Sequence, residues 1–432
     1  MPTPTLVSRP PIRHILMFAI GTAGDVHPSI AIGRALRERG HRVLFVTNSY
    51  FEPAVRRAGL DFESSGTVEE YLRTVENPEL WKFGKGFKVL FEQILAQMRP
   101  NYELIRREFR PGETVVVAPA SAFGARIAQE KLGVSLVHLH LQPIVLRSRY
   151  EQPGVSVPAW FKPILKPLRE VWLGALDRWI LDPALLPQAN AFRAELGLAQ
   201  LRRPFDHWIH APEMVIGLFP DWYAPPQPDW PKQLQLTGFM LYDEGETREA
   251  PPALDQFLDA GEAPLVFALG SGMSNAKDYF AKSAEVCRKL GRRGILLTQF
   301  PEQLPENLPN GVVHFDYVPF SRLLRRAALF THHGGIGTMA QAMRAGVPQL
   351  ITPFNFDQPD NAARLKRLGA GDLIRPSQYE VDPVAQKIAA LLSSKTVEAA
   401  CRTIAARFDK QQDPLAATCG LIESVAGQAV AA

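Results

Sequence analysis

With 432 residues, 46% of them hydrophobic and 21% charged, the chain is globular in composition. It is too long for one ordinary core and fits two domains of about 200 residues each. The net charge of +4 comes without a dense Lys/Arg run, which excludes a nucleic-acid groove and suits at most a peripheral contact with an anionic membrane. Three cysteines, Cys287, Cys401 and Cys419, are odd in number and lack CxxC spacing, so neither a disulfide framework nor a structural zinc site is expected, and a reducing, cytoplasmic setting follows.

In chain order, residues 1–11 read as a loose Pro/Thr-rich tail. The apolar run from Ile15 to Ile20 is far too short to span a membrane and is expected to be a buried strand. A glycine loop follows, then a helix from Pro28 to Arg39 with Pro28 at its first position and Gly40 just past its end. Strands are expected at 43–47, 114–118 and 135–138, with a helix through Ala128 to Lys131 between the last two. Residues 143–235 break this rhythm with many Pro and Trp, and a Pro-rich seam falls near 220–260. Alternation resumes with strands at 265–269, 295–298, 312–315 and 329–331 and a helix near 281–290. Such alternation implies parallel sheets covered by helices on both faces. The expected division is an acceptor-binding domain at 1–235, a donor-binding domain at 236–405, and a C-terminal helix at 406–432 that crosses back to the first domain.

The most informative stretch is Phe330-Thr331-His332-His333-Gly334-Gly335-Ile336-Gly337-Thr338, continued by Ala345-Gly346-Val347-Pro348 and Phe356-Asp357-Gln358-Pro359-Asp360-Asn361. A strand running into a glycine turn that opens a helix aims N–H groups and a helix dipole at an anion, which suits a diphosphate. Asp357 and Gln358, after the next strand, are placed to hydrogen-bond neighbouring hydroxyls. Together they suggest a nucleotide-sugar site.

These motifs, with the loop Gly21-Thr22-Ala23-Gly24-Asp25-Val26-His27-Pro28 and the segment Leu218 to Pro231, resemble the family 1 glycosyltransferases of the GT-B fold. Nearly end to end, the chain is similar to the rhamnosyltransferase that makes rhamnolipids. The resemblance implies two Rossmann-like, doubly wound α/β domains facing across a cleft. It also implies inverting transfer of a sugar, L-rhamnose from dTDP-rhamnose, to a hydroxyl of a hydrophobic hydroxyacyl-type lipid. No cofactor or metal is implied, and a UDP-sugar is the competing donor. Two rivals on the same fold are a nucleotide-sugar epimerase or hydrolase and a non-catalytic nucleotide-sugar-binding partner subunit.

Asp25 is the expected general base, at the C-terminal end of the first strand where ligands of open α/β sheets gather. Its competing role is to order the turn and start the helix. Donor-side expectations fall on Gly24 and on His332, with the N–H groups of Gly334, Gly337 and Thr338 on the diphosphate. His332 as a satisfied core histidine is the alternative, and His333 is expected to be structural. Ser271 and the pair Tyr317-Val318 match family positions that approach the donor, Tyr317 stacking on the base. Asp357 and Gln358 would hold the sugar. Ala340 stands where plant members grip the ribose with Glu, which leans toward a deoxyribose donor. Trp81, Phe87, Phe91 and Trp160 are acceptor-binding candidates, with ordinary core packing as their alternative.

Overall fold

A computed structural model describes residues 13–80, 85–151, 162–211, 213–243, 249–270, 273 and 276–425. Two wholly parallel sheets organise it. The first contains β1 (His14–Phe18), β2 (Arg42–Thr47), β3 (Asp61–Ser64), β4 (Thr114–Ala118), β5 (Ser135–His140), β6 (Met214–Gly217) and β7 (Leu234–Leu236), in the order β3-β2-β1-β4-β5-β6-β7. The second contains β8 (Leu265–Ala268), β9 (Gly294–Leu297), β10 (Val312–Phe315), β11 (Leu329–His332), β12 (Gln349–Ile351) and β13 (Gly371–Leu373), in the order β10-β9-β8-β11-β12-β13.

Both orders reverse at the first strand of their sheet, which places a crevice beside the C-terminal ends of β1 and β4 in one domain and of β8 and β11 in the other. The central strands read as near-continuous apolar runs because both faces are covered. In β4, all five residues are buried: Val116 and Ala118 face one core, with Tyr102 and Phe123, while Val115 and Val117 face the other, with Ile30 and Ile32.

The first helix begins at Ala23, five residues before the expected Pro28. Thr22 caps it, and the Asp25 carboxylate at its third position accepts from the Thr22 N–H, so the local capping chemistry starts the helix and Pro28 is carried inside. At the other end of the chain, the helix Lys395–Asp409 runs through residue 405 without a break. The helix Pro414–Val425 then packs on the first helix and on β4 and β5. Glu423 accepts from Arg39 at 2.9 Å and pairs with His41 at 3.0 Å, and the Thr418 hydroxyl donates to that of Thr237 at 2.9 Å. Among the described residues no helix is long and apolar enough to cross a membrane.

Candidate active site

The shape of the Asp25 loop follows from one glycine. Gly21 holds φ at +134°, and a Cβ there would lie 2.2 Å from the Asp25 Oδ2, so only glycine lets the carboxylate fold back on the turn. Asp25 Oδ2 accepts from the Thr22 N–H at 2.9 Å and the Thr22 hydroxyl at 3.3 Å, and Oδ1 accepts from the Gln142 amide at 3.3 Å. Burial raises its pKa above the ordinary carboxylate value, against the lowering effect of these bonds. Helix capping and a carboxylate at the mouth of the crevice are thus properties of one side chain. Gly21→Ala is expected to displace Asp25, cut turnover at least about tenfold and lower the unfolding midpoint through backbone strain at this φ. Steady-state assays beside urea melts check this.

On the facing domain, β11 ends at His332 and His333 follows it, and the two histidines have different surroundings. The His332 ring is fully buried and stacks on Phe330, ring centres 4.7 Å apart. Its Nδ1 accepts from the Gly334 N–H at 3.1 Å, and its Nε2 meets Gln349 Oε1 at 2.9 Å. Both nitrogens are therefore spent, and burial holds the pKa at about 3. In this geometry His332 is the satisfied core histidine, and the Gly334 N–H belongs to it rather than to an anion. His333 is the ring that lies between the Gly335 turn and Gly270, just past β8: a Cβ on Gly335 would be 2.5 Å from its Nε2, and one on Gly270 would be 3.1 Å away. Its Nδ1 has no partner among the described residues, and burial lowers its pKa to about 4, which leaves it neutral.

The helix Ile336–Ala345 opens directly after this turn, with Gly335 as its cap. Its first-turn N–H groups, those of Gly337 and Thr338 included, have no acceptor within the helix and carry its positive dipole end. Ala340 does not line the crevice. It is 1% exposed and packs in the core with Ile336 and Met343, so its methyl says nothing about a ribose.

Asp357 occupies the cap position of the helix Gln358–Arg367, directly after Phe356, whose φ of +59° is strained for a bulky side chain. Asn361 donates to Asp357 at 2.6 Å and to the Gly334 carbonyl at 2.9 Å, and accepts from the Tyr223 hydroxyl at 2.8 Å. It ties the Gly334 turn, the Asp357 loop and the interdomain seam together, a role that sequence reading missed. Burial, then the charge of Asp25, pushes the Asp357 pKa up to about 7, so the two carboxylates sense each other across the crevice. Gln358 faces inward: its Oε1 accepts from the N–H groups of Phe354 (2.8 Å) and Asn355 (3.3 Å) and shapes the loop instead of reaching outward.

The Tyr317 hydroxyl donates to the Asp243 carbonyl in the seam, and its ring borders a recess of about 270 Å³ with His314, Asp316 and Pro251; Val318 beside it is buried. Gly24 is exposed on the first turn of the first helix. Phe91 is a core residue, and Phe87 stacks on it at 5.1 Å while remaining 38% exposed. Ser271, Trp81 and Trp160 lie outside the described residues.

Two family models match the chain. Residues 15–144 fit the glycosyltransferase family 28 N-terminal domain, and residues 295–421 fit the erythromycin biosynthesis protein CIII-like C-terminal domain. The chain is a GT-B glycosyltransferase. It belongs to the transferases that take a sugar from a nucleotide sugar.

The glycosyltransferase is 29% identical over 363 residues to the O-mycaminosyltylonolide 6-deoxyallosyltransferase of Streptomyces fradiae, covering 82% of this chain and 84% of that one. It is 27% identical over 385 residues to the sterol 3-beta-glucosyltransferase of Candida albicans, where it spans 83% of its own length and 24% of the relative's. Its fold matches the glycosyltransferase VinC in complex with dTDP (TM-score 0.67, 20% identity, 96% and 99% of the two chains). It also matches the spinosyn rhamnosyltransferase SpnG complexed with thymidine diphosphate (0.65, 18%, 95% and 100%).

Proposed function

We propose that the enzyme is an inverting glycosyltransferase that moves L-rhamnose from dTDP-rhamnose to a hydroxyl of a hydrophobic, hydroxyacyl-type acceptor. The observation that carries this reading is the pairing across one crevice: a base-positioned carboxylate, Asp25, faces a helix N-terminus and Asp357. The acceptor O–H gives its proton to Asp25 while its oxygen attacks the anomeric carbon from the side opposite the diphosphate. The bond from that carbon to the diphosphate oxygen breaks, and the electron pair leaves with the diphosphate. The first-turn N–H groups of the helix Ile336–Ala345 and the neutral His333 ring are the donors nearest that growing charge, and they supply leaving-group stabilisation that needs no metal. Asp357 hydrogen-bonds the sugar.

Support for a thymidine donor comes from the two structural neighbours solved with thymidine diphosphate, one of which is a rhamnosyltransferase. Support for an apolar, hydroxylated acceptor comes from relatives named for a tylonolide and for sterols. A cytoplasmic enzyme working peripherally at the inner face of a membrane fits that acceptor and the mild positive charge.

Product mass spectrometry after incubation with a lipid extract and either dTDP-rhamnose or UDP-glucose tests the proposal. The expected product gains one deoxyhexose, from dTDP-rhamnose in preference to the UDP-sugar. Sugar transfer to small polar alcohols alone would remove the lipid acceptor. Release of a changed or free sugar without acceptor would favour an epimerase or hydrolase, and donor binding without turnover a partner subunit.

A further inference from the structure

Beside the base, the first domain holds a cluster of polar side chains that the transfer chemistry does not use. β5 ends in His138 and His140 on the same face, and His210 approaches from the 207–211 turn, with ring centres 6.1 Å apart for His138–His140 and 5.5 Å for His140–His210. All three are at least nine-tenths buried. His138 Nδ1 accepts from the Ala211 N–H at 2.9 Å, so its Nε2 carries the hydrogen. Among the described residues that Nε2, His140 Nε2, His210 Nδ1, Arg147 Nη2 and Asp182 Oδ1 have no hydrogen-bond partner. So many unmet polar atoms inside one layer of a core are costly unless a ligand pairs them. Gln142, two residues past His140, donates to Asp25 at 3.3 Å and so ties the segment that carries the cluster to the proposed base.

The charges say what kind of ligand fits. Arg147 is already met by Asp177 at 2.8 Å, and Asp182 adds a second acid close by. Burial keeps the histidines neutral, with His138 at about 3, His210 at about 4 and His140 well below the ordinary value. No positive charge is spare for a carboxylate or phosphate. Neutral rings and a carboxyl oxygen instead match hydroxyls, which both donate and accept. Nor are three His, Cys, Asp or Glu side chains placed to hold one metal ion among the described residues.

From the cluster a row of rings leads outward. Arg147 lies over Phe205 at 5.9 Å, Phe205 is 6.5 Å from Phe91, and Phe91 stacks on the half-exposed Phe87. We infer that the cluster binds a neutral head of the acceptor bearing two or more hydroxyls, while the acceptor's apolar part lies along Phe205, Phe91 and Phe87. This rests on the transferase reading and narrows its acceptor from free hydroxy acids to neutral hydroxyacyl lipids with a polyhydroxylated head.

The test uses the full chain with two probes, n-octyl glucoside below its micelle concentration and 1-octanol below its solubility limit, first without donor and then with dTDP-rhamnose. Octyl glucoside should shift the His140 and His210 ring resonances while octanol leaves them in place. In transfer assays its KM should be at least about tenfold lower, the gain from one or two extra hydrogen bonds. His140→Phe, with the urea midpoint as the check that it folds, should erase that advantage and bring the octyl glucoside KM to that of octanol. Identical ring shifts with both probes, no shift with either, or tighter binding of 3-hydroxyoctanoate would overturn the inference. Ring shifts without sugar transfer would leave the site standing and sink the transferase proposal, whereas transfer to octyl glucoside without ring shifts would do the reverse.

Discussion

Asp25→Asn is expected to lower sugar transfer by about 10²–10⁴-fold, the usual loss on removing a general base, while donor affinity stays within about twofold. The asparagine keeps an oxygen for the Thr22 N–H, which the carboxylate accepts at 2.9 Å, so the helix start survives. Asp25→Ala loses that oxygen as well and should cost about 1 kcal/mol of stability in addition. Comparing the two variants separates the chemistry from the cap. The pH profile gives a second handle. A base works only when ionised, and burial raises the Asp25 pKa, so turnover should climb with pH along a limb above the ordinary carboxylate range. That limb should vanish in Asp25→Asn. Asp357 keeps its proton to about pH 7, partly through the charge of Asp25, and can therefore donate a hydrogen bond below that pH. Near-normal turnover in Asp25→Asn, measured by single-turnover transfer, would assign the base elsewhere.

The parallel sheets were legible because their strands are apolar runs bounded by glycines, and β4 and β10 fall at the expected residues. The first helix was less so, since Pro28 signals a helix start as strongly as Thr22 and Asp25 do, and tertiary context carries it inside. The two histidines at and just past the end of β11 show a firmer limit. Consecutive residues at a strand end point to opposite sides, and β11 is buried throughout, so no alternation in the sequence tells which ring faces the core. Partners settled it: Gln349 lies seventeen residues away in sequence but only 2.9 Å from His332. Ala340 was readable, however. Ile336, Ala340 and Met343 recur at helical spacing and share the core. The histidine cluster escaped because β5 runs to His140, two residues past its expected end.

The seam between the domains should depend on Arg364. Its side chain is 2% exposed, donates from Nε to Asp360 at 2.8 Å, and from its two terminal nitrogens to Glu151 at 3.2 and 3.0 Å. Glu151 follows β5 in the first domain, whereas Arg364 lies on the helix that Asp357 caps, so this pair links the first domain to the second. Asp360 is itself 1% exposed, so removing the guanidinium takes a buried charge-assisted hydrogen bond away from this carboxylate and from Glu151 at once. Breaking one partner of such a bridge costs about 3–5 kcal/mol. Arg364→Met should therefore destabilise the enzyme by that order in urea unfolding followed with two probes, since two domains need not unfold together. Glu151→Gln should cost less, because Asp360 keeps its partner, and the double variant should fall short of the sum. In assays, Arg364→Met should raise the donor KM more than it lowers kcat: Asp357 shifts with its helix while Asp25 stays in place. Additive effects of the two substitutions would show that Arg364 and Glu151 act separately and that other contacts hold the crevice in register.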